Sequence, residues 1–166
     1  MKEKTEKPKI LIVSGYHPEE TFAVKVGEAL FQYFSNLNIK VIRYAGKSDR
    51  GRSCRNLRRF IEKFDPAISP IILHSDVTLG IEAAIVYSAK SKKEKRRALK
   101  PLRDFCLQQG NEGNTVVFGR FLIHNAKYGL FDIELNSELR LQKAVSLVEK
   151  FSRHLISLYL EKELKL

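Results

Sequence analysis

The chain has 166 residues, 43% of them hydrophobic, and carries 30 lysines and arginines against 19 aspartates and glutamates, for a formal charge of +11. That is core material for one ordinary domain, with no run near the roughly 18 apolar residues of a membrane span and no apolar segment after the polar start Met1 to Pro8 that would make it a signal peptide. The expectation is a soluble cytoplasmic protein with a disordered tail over 1–8, a single domain over 9–166 and no membrane partner.

Ile10 to Val13 is an unbroken apolar run ending at Ser14-Gly15, the mark of a buried strand entering a tight turn. Thr21 to Phe34 places Phe22, Val26, Ala29, Leu30 and Tyr33 at helical spacing. Asn38 to Tyr44 is a second strand, and Arg55 to Phe64 a second helix closed by Asp65-Pro66. Pro70 to Leu73 is a third strand. Leu79 to Tyr87 and Lys92 to Gln109 are expected to be helical, with a break near Pro101 because proline disrupts a helix interior.

Gly110 to Asn114 is a loop by composition. Thr115 to Phe118, Arg120 to Ile123 and Leu130 to Asn136 are short strand candidates. In the last, Phe131, Ile133 and Leu135 share one face, so Asp132, Glu134 and Asn136 share the other. From Ser137 a long amphipathic helix follows, with Leu141, Val145, Val148, Phe151, Leu155 and Leu158 as its apolar stripe. Strands alternating with helices predict an α/β fold, a single-domain layer sandwich whose mixed, mostly parallel sheet is flanked by helices.

Two cysteines, Cys54 and Cys106, are too few and too isolated for a disulfide framework or a CxxC knuckle and read as ordinary thiols. The basic balance favours an anionic partner, either nucleic acid or a substrate bearing carboxylates. The run Lys92-Lys93-Glu94-Lys95-Arg96-Arg97 is the natural contact for a phosphate backbone, although such runs are usually solvated helix faces.

Ligand sites in sheets of this kind lie beyond the carboxyl ends of strands. After the first strand stands Gly15-Tyr16-His17-Pro18-Glu19-Glu20, and after the third His74-Ser75-Asp76. His17 and Glu20, three residues apart, can converge on one ion at a loop-to-helix junction, with Glu19 as the alternative carboxylate. Adding His74 makes a two-histidine, one-carboxylate set that leaves a fourth position for water, and Zn2+ is the metal such ligands take. His124 reads as a turn residue and His154 as a structural or solvent-facing group on the last helix.

A strand-loop His-x-x-Glu, a later His-Ser and a later strand bearing Glu, in that order from Ile10 to Asn136, resemble the zinc metallocarboxypeptidases and their succinylglutamate desuccinylase and aspartoacylase relatives. The resemblance implies that His17, Glu20 and His74 bind zinc and that Glu134 is the catalytic general base. It also implies that arginines and an asparagine between the two metal-binding segments grip a substrate carboxylate. Arg50, Arg52, Arg55, Asn56 and Arg58 are the candidates, with Tyr128 as a further substrate contact. The family's Asn-Arg dipeptide is here Asn56-Leu57-Arg58, and the chain is shorter than the peptidases. The implied activity is zinc-dependent hydrolysis of an amide bond at a peptide C-terminus or in an N-acyl amino acid. A basic nucleic-acid-binding module and a non-catalytic relative are the alternatives.

Overall fold

The computed structural model describes residues 9–17, 19–34, 38–44, 53–108, 115–119 and 129–161. Along them the chain forms β1 (Ile10–Ser14), α1 (Thr21–Tyr33), β2 (Ile39–Arg43), α2 (Ser53–Glu62), β3 (Ile71–Asp76), β4 (Ala83–Ser88), α3 (Lys92–Gln108), β5 (Thr115–Gly119), β6 (Leu130–Asn136) and α4 (Leu141–Leu160). The strands make one six-stranded sheet in the order β2-β1-β3-β6-β4-β5. β1 runs parallel to β2 and β3, β3 to β6, and β4 to β5, while β4 and β6 are antiparallel. The fold is therefore α/β with a mixed, mostly parallel sheet, as expected.

Both faces of the sheet are covered at β1 and β4, which is why these two strands are buried along their whole length and show no alternation. One face carries Ile10, Ile12, Ile71, Leu73, Ile85, Phe131 and Ile133 against Val26 and Leu30 of α1, Leu102 and Phe105 of α3, and Val148 and Phe151 of α4. The other carries Leu11, Val13 and Ile72 against Leu57 and Ile61 of α2, with Tyr16 and Tyr44 at its margin. Gly27 lets α1 lie close on β1, since a Cβ there would stand 2.3 Å from Ser14 Oγ. Among the described residues no helix is long and apolar enough to cross a membrane.

Three expectations are corrected. Leu79 to Tyr87 is not a helix; Ala83–Ser88 forms β4, fully buried between β5 and β6. A short apolar run buried on both faces has no period to distinguish strand from helix, and here the β-branched and aromatic Ile85, Val86 and Tyr87 decide. Helix α3 runs through Pro101 without a break, because Ala98, Leu102 and Phe105 form one buried stripe on both sides of it. Burial of that stripe outweighs the hydrogen bond forfeited at the proline. Finally, α4 begins at Leu141 and not at Ser137, and Leu141 is exposed while Ala144 and Ser152 join Val148, Phe151 and Leu155 on the buried face.

Residues 1–8, 110–114 and 120–128 lie outside the described residues, and with them the expected tail, the loop and the Arg120–Ile123 strand. His154 is half-buried with its ring 5.3 Å from that of Phe105, a packing role. Cys106 is a free thiol whose pKa is raised by burial. In the basic run, Lys92, Lys93, Arg96 and Arg97 are exposed. Glu94 is buried instead, where it accepts from the Tyr87 hydroxyl and, at 3.0 Å, from the Lys90 N–H.

Candidate metal centre

The chain leaves β1 for α1 and β2 on one side of the sheet, then returns to place β3 on the other side of β1. The carboxyl ends of β1 and β3 thus lie side by side where the winding direction reverses, the position at which open α/β sheets form their crevices. Gly15 makes the turn out of β1 with φ of 75°, and a Cβ there would stand 3.2 Å from the Tyr44 carbonyl oxygen. A left-handed conformation against neighbouring backbone requires glycine. The turn tucks the Tyr16 ring under the site, 4.6 Å from the His17 ring and 6.1 Å from the His74 ring.

Glu20 occupies the N-cap position of α1 but makes no side-chain cap. Its Oε2 instead lies 3.2 Å from His74 Nδ1 and accepts from the Ser75 N–H at 3.3 Å. The first turn of the helix is capped from outside, the Ala23 N–H donating to Ser75 Oγ at 3.3 Å. Glu19 is exposed, and Glu20 is the carboxylate that faces His74.

His74 was expected just past the end of its strand and lies within it, paired in register with Glu134 of β6. Extending β3 to Asp76 fixes the imidazole's direction. Its Nε2 lies 3.4 Å from Asp132 Oδ1, and Asp132 Oδ2 accepts from Ser88 Oγ at 3.4 Å. Burial disfavours the charged imidazole, but the Asp132 and Glu20 carboxylates in contact with it, together with the nearby charge of Glu134, prevail and raise the His74 pKa to about 10.

One nitrogen from each of His17 and His74 and one carboxylate oxygen of Glu20 lie within 4.8 Å of one another. Ligand atoms on a tetrahedral zinc stand roughly 3.4 Å apart, given bonds of about 2.0–2.2 Å. The Glu20–His74 spacing of 3.2 Å already meets that figure. The donor chemistry of the trio, with His74 buried and His17 and Glu20 half-buried, suits a divalent metal ion.

The other candidates divide. Glu134 is half-buried on the sheet face that carries Asp132, beside His74. Asn56 is exposed on α2, and Arg58 is half-buried there with its Nε enclosed and, among the described residues, without a hydrogen-bond partner. Arg50, Arg52, Tyr128 and His124 lie outside the described residues, as does the side chain of Arg55. Asp132 was not singled out from the sequence. Its alternation with Glu134 was the available signal, since two residues apart on a strand means one face.

No family model and no curated protein matches the sequence. Solved structures do match in fold. An N-acetylmuramyl-L-alanine amidase from Mycobacterium abscessus superposes with a TM-score of 0.59 at 12% identity, over 90% of this chain and 97% of that one. An N-acetylmuramoyl-L-alanine amidase from Clostridium difficile gives 0.58 at 10% identity, over 92% and 97%. A metallo-carboxypeptidase from Burkholderia cenocepacia gives 0.57 at 11% identity, over 93% of this chain but 58% of the larger protein. At such identities the likeness is one of fold.

Proposed function

We propose that the chain is a zinc-dependent hydrolase of amide bonds. The observation that carries this reading is the meeting of His17, Glu20 and His74 at the reversal of winding, ligand atoms within 4.8 Å. The fold neighbours support it, since amidases and a carboxypeptidase share the amide bond as their point of attack.

In this reading His17, Glu20 and His74 hold the metal. A zinc ion held there would lower the pKa of its water to about 7 and polarise a carbonyl. Glu134, on the neighbouring strand and half-buried, accepts the proton of the attacking water and passes it to the departing amine. Its carboxylate also keeps the crevice negative, which favours the arriving cation. Tyr16 and the covered sheet face keep bulk water from the inner side of the site.

The substrate carries a carboxylate near the scissile amide, being either a peptide C-terminus or an N-acyl amino acid. Arg58, half-buried on α2, is proposed as one of the groups that meet this carboxylate. Arg50, Arg52, Arg55, Asn56 and Tyr128 complete the proposed substrate contacts.

Metal analysis of the purified protein, followed by a screen of peptides and N-acyl amino acids with and without a free carboxylate, tests the proposal. One equivalent of zinc and hydrolysis that stops on chelation are expected. A protein with no measurable zinc affinity would overturn it.

A further inference from the structure

The far side of His74 carries an inference about a residue that the reading above leaves without a role. The imidazole side chain is 10% exposed, so the N–H on the nitrogen turned away from Glu20 needs a partner inside the protein. Asp132 supplies it, with Oδ1 3.4 Å from Nε2. Asp132 is itself held, because its strand is paired on both sides, with Ile72 of β3 and Val86 of β4 as its register partners. Its second oxygen accepts from Ser88 Oγ.

We propose that Asp132 is a positioning residue of the metal centre. By accepting the Nε2 proton it fixes the tautomer and plane of His74, so that Nδ1, the nitrogen facing Glu20, is the one presented as ligand; Ser88 fixes the carboxylate in turn. Such an outer carboxylate orients a ligating imidazole and raises its basicity, and its loss typically costs about 10–100-fold in metal affinity. The inference rests on the reading of His74 as a ligand. A purely structural Asp132, tying β6 to β3 through an ion pair, would change the stability of the metal-free protein and leave zinc affinity alone.

The test is the equilibrium Zn2+ dissociation constant of the full chain, measured by competition with a chromogenic chelator over a range of pH and corrected for the proton that zinc displaces, beside thermal unfolding of the metal-free protein. The variants are Asp132→Asn, Asp132→Ala, Ser88→Ala and His74→Ala. Asp132→Asn keeps an acceptor without charge and should weaken zinc binding about tenfold, and Asp132→Ala up to about 100-fold. Ser88→Ala, which leaves the carboxylate but frees it to rotate, should weaken binding about threefold. His74→Ala should lose binding further than any of these. Wild-type affinity in the Asp132 variants alongside a failed His74→Ala overturns the role of Asp132 and leaves the ligand reading standing. A wild-type chain that binds no zinc, or an unaffected His74→Ala, overturns both. If the Asp132 variants do not fold, Ser88→Ala decides, and an unchanged constant there overturns the proposal.

Discussion

Glu20 and Ser75 exchange duties across the junction of α1 and β3. The Glu20 carboxylate, placed at the N-cap, turns away from its own helix to accept the Ser75 N–H and meet His74, while the Ser75 hydroxyl accepts the Ala23 N–H that a capping side chain would take. The helix keeps a cap and the crevice gains a carboxylate. Removing the hydroxyl should therefore behave as loss of a helix cap. Ser75→Ala is expected to lose about 1 kcal/mol of stability in denaturant titration, while zinc affinity stays close to wild type because the Ser75 N–H remains. A stability unchanged by Ser75→Ala would show that α1 does not depend on this cap.

The protonation of His74 sets two opposite pH trends. Its folded pKa of about 10 lies above the ordinary 6.5, so in the metal-free protein its contribution to stability is complete below about pH 6.5 and fades as pH rises through about 10. Zinc must displace that proton, so its affinity should climb about tenfold per pH unit from neutrality upward, with release of about one proton. Calorimetry in buffers of different ionisation enthalpy counts the proton. An affinity independent of pH would contradict a charged His74.

Glu134→Gln separates metal binding from turnover. The amide is nearly isosteric but takes no proton, so zinc content should stay at one equivalent while kcat falls by about 10^2–10^4. Full activity in this variant would remove Glu134 from the reaction.

Arg58→Met tests the substrate carboxylate. Where the guanidinium grips that group in ground and transition states alike, KM rises and kcat holds. Stability should change little or improve, because an enclosed donor without a partner among the described residues disappears. A variant with unchanged KM for carboxylate-bearing substrates would place Arg58 outside the crevice.

The contact of Gly27 with Ser14 sets how closely α1 sits on the sheet. Gly27→Ala forces a Cβ into the Ser14 side chain and should cost about 1–3 kcal/mol, despite alanine's better helix propensity. Adding Ser14→Gly should recover part of that loss. Additive behaviour in the double variant would mean that the two do not press on one another.

The sequence displays a strand well where one of its faces is open, and a helix well where its apolar stripe is long. The bounds of β6, Leu130 to Asn136, are legible to the residue because its alternation is unbroken. Strand β4 is not, since burial on both sides erases the period. The convergence of His17, Glu20 and His74 is legible from strand ends and spacing, as His17 and Glu20 sit on one short loop. Asp132 is not, because its meeting with His74 depends on β3–β6 register between segments nearly sixty residues apart, and no local pattern encodes that pairing.

The three carboxylates around His74 form an acidic island in a chain of formal charge +11. A cation approaching from solution first crosses a repulsive outer field and then falls into an attractive inner one, while an anion meets the reverse. Physiological salt flattens the outer field beyond about 8 Å and leaves the inner one nearly intact. If the proposed metal and carboxylate-bearing substrate are its ligands, rising ionic strength should quicken capture of the first and slow capture of the second, so that charge would sort them twice, once at a distance and once at contact.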